Sequence, residues 1–61
     1  MQNTIKEMFA RYGTPLAAKC IVFPNTFVAL SRFGYTLDRF DTFRAAESYT
    51  LHYYANRPHL T

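Results

Sequence analysis

The sequence predicts an α+β fold: a short N-terminal helix, a two- or three-stranded antiparallel sheet and a longer C-terminal helix. Apolar residues recur at helical spacing near both ends of the chain, in residues 5–12 and 43–54. Two apolar, β-rich runs separated by turn residues lie between them. The length of 61 residues corresponds to a single small domain, 1–61, with a correspondingly small core.

The first helix is predicted between a start at Thr4 and a stop at Gly13. Thr4 and Glu7 have the spacing of a capping box, in which the two side chains satisfy free amides of the first turn. Four apolar residues share one side of this helix: Ile5, Met8, Phe9 and Tyr12. Gly13 is a natural C-terminal residue, and Pro15 prevents the helix from continuing.

Two strands are predicted at Lys19–Phe23 and Thr26–Arg32, joined by a turn at Pro24-Asn25. Gly34 supplies the positive φ of a second tight turn. Residues 35–40 then form either a third strand or the start of the next helix, with Asp38 as its cap. The first two strands are apolar without alternation, which predicts burial on both faces. One face would lie against the long helix, and the first helix or a second copy of the chain would cover the other.

The long helix is predicted from Thr42 to about Ala55. Asp41 is expected to be its N-cap, because a short carboxylate accepts from amides of the first turn. Asn56 is expected to end it in a left-handed conformation, before Pro58. An arc of about 200° is apolar, wider than the roughly 100° stripe that one contact surface needs. Its members are Phe43, Ala46, Tyr49, Leu51, Tyr53 and Tyr54, opposite a polar stripe of Arg44, Ser48 and His52. The extra width predicts a partner or a homodimer.

The segment Thr26 to Tyr54 contains a pattern FDTxxAAxxY, formed by Phe40, Asp41, Thr42, Ala45, Ala46 and Tyr49. It resembles the three-stranded sheet and helix of phage-integrase arm-binding domains and of plant ethylene-response DNA-binding domains. The resemblance implies that Asp41 or Thr42 caps the helix and that a sheet face with Arg32 and Arg39 enters the DNA major groove. In size and aromatic content the chain is also similar to short phage-encoded proteins, which often bind and block a host protein.

Composition argues against catalysis, a metal and a cofactor. Cys20 is the single cysteine, and with two distant histidines it does not make a tetrahedral zinc set. The four carboxylates occur at cap, turn and helix-edge positions, so none is assigned a catalytic role. No signal peptide or membrane span is expected, hence no membrane partner. A lone free thiol favours the reducing cytoplasm.

With catalysis, a metal and a cofactor disfavoured, the expected function is binding to a partner, because tyrosine and arginine have the chemistry of interface hot spots. The predicted partner-binding residues are Tyr35, Arg39, Arg44, Tyr49, Tyr53 and Tyr54. They would contact a host protein or ribonucleoprotein complex as an inhibitor or adaptor. The net charge of +3 also permits nucleic acid. In that alternative, phosphate contact and base stacking would come from Arg32, Phe33, Tyr35 and Arg39 around Gly34.

Overall fold

The computed structural model describes residues 2–61 as two helices, three strands and a short 3-10 helix. In chain order these are α1 (Gln2–Tyr12), β1 (Ala17–Lys19), β2 (Phe27–Leu30), β3 (Thr36–Phe40), α2 (Phe43–Ala55) and the 3-10 helix at Pro58–Leu60. The α+β class is confirmed. The third strand is confirmed as well, so the alternative of an earlier helix start at residues 35–40 is wrong.

α1 packs against α2 through the apolar side that its spacing predicts. Ile5, Met8 and Phe9 are buried with Tyr54 of α2, and the rings of Phe9 and Tyr54 meet edge to face at 5.4 Å. The predicted capping box is wrong, because α1 begins at Gln2 and Thr4 therefore lies within the helix. Gly13 ends the helix as predicted, with φ +70°.

The sheet is an antiparallel meander in the order β1-β2-β3. The predicted first strand at Lys19–Phe23 is wrong. Lys19 pairs with Phe27, the first residue of β2, so residues 21–23 project beyond the end of the partner strand. The β1–β2 loop is closed by the amide of Cys20 donating to the carbonyl of Thr26 at 2.8 Å. The pairing register of β1 with β2 therefore leaves residues 21–23 outside the sheet, although their composition favours a strand.

α2 lies across one face of the sheet and contacts all three strands. Small side chains form the buried part of this contact, where Ala17, Ala29 and Ala46 pack together. Larger, partly buried side chains surround that cluster: Phe27, Leu37, Phe40 and Tyr49. Thr50 is buried in the same helix, and its hydroxyl donates to the Leu16 carbonyl at 2.9 Å. The hydroxyl thereby ties α2 to the residue that precedes β1.

The opposite face of the sheet is not covered by α1, which packs on α2 instead. Val28 and Leu30 alternate with the helix-facing residues of β2, so their side chains point to this second face. Arg39 pairs with Val28 and shares that face, where its guanidinium lies 5.8 Å from the centre of the Phe23 ring. The expectation that the first helix covers this face is wrong, and coverage by a second copy stays a prediction. Val28 and Leu30 are nevertheless only 9% exposed, so these residues of β2 are buried, as the absence of alternation predicted.

The outer edge of β3 is blocked locally by one of its own side chains. Hydrogen-bonded and non-hydrogen-bonded pairs alternate along an antiparallel pair of strands. Cys20 with Thr26 and Leu16 with Leu30 are hydrogen-bonded pairs, so the backbone of Val28 also bonds towards β1 and not towards β3. Arg39 is the β3 partner of Val28, and its amide therefore points outward, away from β2. The Asp38 carboxylate accepts that amide at 2.8 Å. An incoming strand would have to displace this carboxylate, which protects the edge against pairing with other chains.

Both predicted caps of α2 need correction. Thr42, rather than Asp41, is the N-cap: its backbone is extended, and its hydroxyl accepts from the amide of Ala45 at 3.1 Å. Asn56 has φ −86°, so it is not left-handed. The helix ends instead with a tighter turn, in which the Arg57 amide donates to the Tyr54 carbonyl at 3.1 Å.

Candidate partner-binding surfaces

The six predicted partner-binding residues do not form one surface. Tyr35, Arg39 and Arg44 are exposed but lie on different elements: the β2–β3 turn, β3 and the first turn of α2. Tyr49 and Tyr53 are half-buried on α2. Tyr54 is only 3% exposed. The structure therefore separates the set into residues that a partner can reach and one that belongs to the core.

Tyr54 is a structural residue, which corrects its assignment to a partner surface. Its ring packs on Phe9, and its hydroxyl accepts the backbone amide of Arg32 at 2.9 Å. This contact joins the end of α2 to the β2–β3 turn, 22 residues away in sequence. The helical wheel placed Tyr54 on the apolar arc, but it could not distinguish the buried centre of the arc from its exposed margin.

Tyr49 and Tyr53 belong to a row of rings along one flank of α2, which we call the tyrosine stripe (Phe40, Tyr49, Tyr53 and Arg57). The ring centres of Phe40 and Tyr49 are 5.2 Å apart, and those of Tyr49 and Tyr53 are 6.3 Å apart. The Arg57 guanidinium lies 3.9 Å from the centre of the Tyr53 ring and donates to the Tyr53 carbonyl at 3.1 Å. The stripe is half-buried, with its cation at the C-terminal end of α2.

A more exposed group lies around the β2–β3 turn, and we call it the turn cluster (Tyr12, Arg32, Phe33 and Tyr35). The three rings are exposed by 52% (Tyr12), 61% (Phe33) and 72% (Tyr35). Tyr12 and Phe33 meet edge to face at 5.4 Å, and the Arg32 guanidinium lies 5.0 Å from the Phe33 ring and 6.0 Å from the Tyr12 ring. Gly34 has φ +90°, as the predicted turn requires.

The turn is held by Ser31, which the sequence did not single out. Its buried hydroxyl accepts the amides of Phe33 at 3.2 Å and Tyr35 at 3.0 Å, while its own amide donates to the Tyr35 carbonyl. A serine that accepts from amides two and four residues ahead forms a local turn motif. That motif fixes the backbone from which both rings project.

Arg32 is a tether and not a free cation. Its Nη1 donates to the carbonyl of Leu60 and contacts the sulfur of Met8, and its Nε is buried with no partner among residues 2–61. The guanidinium therefore links the turn to α1 and to the 3-10 helix. These hydrogen bonds use Nη1, so its predicted role as a phosphate contact, which stays a prediction, would have to use Nη2.

At the other end of the sheet, the β1–β2 loop carries a second apolar group, the loop tip (Ile21, Val22 and Phe23). These consecutive side chains are exposed by 99%, 70% and 50% in that order. The neighbouring Cys20 is half-buried, and its thiol has a pKa below the usual value. The largest cause is a hydrogen bond from the backbone at Phe23, followed by one at Val22; partial burial opposes them, and the charge of Arg39 adds to the lowering.

Comparisons with protein-family models, with curated proteins and with solved structures found no match to this chain. Among residues 2–61, no three or more His, Cys, Asp or Glu side chains are grouped to hold a metal ion. No helix in the same range is long and apolar enough to cross a membrane.

Proposed function

We propose that this chain is a small non-enzymatic binding protein that docks on a larger protein through the turn cluster. The observation that carries the proposal is a group of three rings, each more than half exposed, of which Tyr12 and Phe33 lie against the fixed guanidinium of Arg32. Isolated apolar residues are normal on a protein surface, but contiguous groups mark interaction sites. Aromatic and arginine side chains are also the commonest energetic centres of protein interfaces.

The contacts of Arg32 favour affinity because they hold the rings before a partner arrives. The arginine is anchored to the Leu60 carbonyl, and Ser31 fixes the turn that carries Phe33 and Tyr35. Little side-chain freedom is then lost on binding, and such pre-organisation increases affinity without further contacts. An aromatic side chain buries about 150–250 Å², so the exposed part of three rings offers roughly 300–400 Å². That area suits the centre of an interface of standard size.

The tyrosine stripe can extend this centre on one side. Tyr53 neighbours Tyr54, whose hydroxyl accepts the amide of Arg32, so the end of the stripe lies close to the base of the turn. Arg57, stacked on Tyr53, adds a cation at that margin. We propose a partner that is a cytoplasmic protein or ribonucleoprotein complex, with this chain acting as an inhibitor or adaptor of the kind that phages and other mobile elements encode.

Two matched double variants test this proposal. Phe33→Ser with Tyr35→Ser removes two rings and leaves Gly34 and Ser31 intact, while Ile21→Ser with Val22→Ser removes apolar surface from the opposite end of the sheet. The wild-type chain should capture a defined host protein, and the first variant should bind that purified protein at least about a hundredfold more weakly, since two hot spots contribute about 2 kcal/mol each.

Calorimetric titration of the purified pair gives the affinities, and circular dichroism establishes that both variants are folded. The control variant should bind within a few-fold of wild type. The proposal fails if loss of the two rings leaves the affinity unchanged, or if capture recovers only nucleic acid.

Nucleic-acid binding is the second candidate, and it is supported by two exposed rings that flank Gly34. Phe33 and Tyr35 could stack on unpaired bases, which adds affinity without sequence preference. The cation beside them, Arg32, is held by the Leu60 carbonyl, and Arg39 lies four residues along β3, about 13 Å from Tyr35. Gel-shift titrations from about 0.05 to about 0.2 M salt decide the matter, because phosphate contacts weaken steeply with salt. Absence of a shift on single strands and duplexes at the lowest salt would exclude it.

A further inference from the structure

We propose that the loop tip inserts into the interfacial region of an anionic lipid bilayer. Ile21, Val22 and Phe23 would enter the boundary between headgroups and acyl chains, and the basic residues around them would contact the lipid phosphates. This is peripheral contact by a loop and not a membrane span. It goes beyond the proposed protein docking, since it uses the opposite end of the sheet.

The geometry of the loop exposes these side chains as a projection. β1 ends at Lys19, and the hydrogen bond from the Cys20 amide to the Thr26 carbonyl closes the loop at its base. Ile21 lies almost entirely in solvent, at 99% exposure. A fully exposed isoleucine next to an exposed valine and phenylalanine leaves apolar surface in water, where it does not stabilise the fold of this chain.

Positive charge surrounds the projection. Lys19 is the last residue of β1, and the Arg39 guanidinium lies against the ring of Phe23. Arg44 is exposed in the first turn of α2. The start of α2 lies at this end of the sheet, because Phe43 meets the ring of Phe27 edge to face at 6.0 Å.

Carboxylates also lie near this end and offset part of that charge. Asp38 accepts the amide of Arg39, and it pairs with Ala29 on the side of the sheet that faces α2, the same side as Lys19, which pairs with Phe27. Asp41 is exposed between β3 and α2, and Glu47 lies one turn along α2 from Arg44. A cation, Arg39, nevertheless contacts the loop tip directly through the Phe23 ring, and the positive end of the α2 dipole lies at the same end of the sheet.

The shape of the projection, and not its area, favours a lipid surface over a protein partner. Three consecutive side chains at the tip of the loop expose roughly 300 Å² in total. A protein partner would need a pocket that matches this narrow projection. A bilayer needs no pocket: a few apolar side chains that reach the acyl boundary, with cations at the headgroup level, are enough for reversible binding.

Flotation with lipid vesicles tests the proposal on the whole chain. Vesicles of phosphatidylcholine with about 30% phosphatidylserine are compared with vesicles of phosphatidylcholine alone, at about 0.1 M salt. Wild type should bind the anionic vesicles at least about tenfold more strongly than the neutral ones. Ile21→Ser with Val22→Ser should weaken binding by at least about tenfold, because burial of even one of these apolar side chains contributes about that factor.

The charge requirement and the protein-docking surface are tested by two further variants. Lys19→Gln with Arg44→Gln should weaken anionic binding by up to about 25-fold, at about fivefold for each cation. Phe33→Ser with Tyr35→Ser should bind vesicles as wild type does, so vesicle binding and protein docking fail independently. The proposal is overturned by no flotation at millimolar lipid, by equal binding to neutral vesicles, or by a loop-tip variant that binds like wild type.

Discussion

Removing only the hydroxyl of Tyr54 tests whether this tyrosine holds the fold or faces a partner. Tyr54→Phe keeps the ring that packs edge to face on Phe9 and deletes the acceptor of the Arg32 amide. That amide is partly buried, and the substitution leaves it without this partner at the base of the β2–β3 turn. The expected result is a clear loss of stability with the fold retained.

The expected loss in free energy of unfolding follows from the cost of leaving a buried hydrogen-bond donor unsatisfied, about 1–3 kcal/mol. A chain of 61 residues is expected to have a free energy of unfolding of only about 3–9 kcal/mol, at about 0.05–0.15 kcal/mol per residue. A loss of about 2 kcal/mol would lower Tm by roughly 8–16 °C in a domain of this size. One hydroxyl would therefore remove a large fraction of the total stability.

Thermal and urea unfolding, followed by circular dichroism, measure this loss. Tyr35→Phe is the matched control, because the Tyr35 side chain is exposed on the same turn, and its stability should stay within about 0.5 kcal/mol of wild type. If Tyr54→Phe is as stable as Tyr35→Phe, the hydrogen bond does not hold the turn to α2. Tyr54 would then not be the structural residue that its contacts with Phe9 and Arg32 indicate.

Two further predictions concern the start of α2 and the β1–β2 loop. Thr42→Ala should lower the free energy of unfolding by about 1 kcal/mol, because the amide of Ala45 loses its acceptor, whereas Asp41→Ala should lower it clearly less. Chemical unfolding measures both values. A larger effect at Asp41 would show that Asp41 is the N-cap, as the sequence predicts. The Cys20 thiol has a lowered pKa, chiefly through hydrogen bonding with the backbone at Phe23, so its anion forms at lower pH than that of an ordinary thiol. The rate of alkylation by iodoacetamide should accordingly rise at lower pH than for a short unstructured cysteine peptide, and coincident pH profiles for the protein and the peptide would contradict the loop geometry.

Periodicity and turn chemistry predicted most of the fold, because these signals are local. The spacing of Ile5, Met8 and Phe9 placed α1 and its buried side, and the glycines at 13 and 34 marked two turns with positive φ. The polar stripe of Arg44, Ser48 and His52 is exposed on α2, as the helical wheel predicted. Each of these features depends on neighbours within about one turn of chain, which the sequence contains directly.

The errors concern features that depend on pairing between distant segments. Ile21, Val22 and Phe23 have the composition of a strand, yet pairing of Lys19 with Phe27 leaves them outside the sheet. Composition describes what a segment can form, but register decides whether a partner strand lies opposite it. For the same reason, a segment that was predicted to be a buried strand is the most exposed apolar segment among residues 2–61.

The candidate surfaces show the same division. The sequence placed Phe33, Gly34 and Tyr35 in one turn, and its proposal that tyrosine and arginine bind a partner stays a prediction. The exposure of the two rings comes from the structure. The sequence could not show that Arg32 is held by the Leu60 carbonyl, because that contact joins residues 28 positions apart.

The amino-acid sequence by itself determined the order of the elements, the sides of the two helices and the residue types available for contact, since all three follow from local spacing. The tertiary structure alone decided which rings are buried and which are exposed. Tyr53 and Tyr54 are adjacent and chemically identical, yet only Tyr54 reaches both Phe9 and the Arg32 amide. Burial is a property of the packed chain, and neighbours in sequence on a helix point about 100° apart.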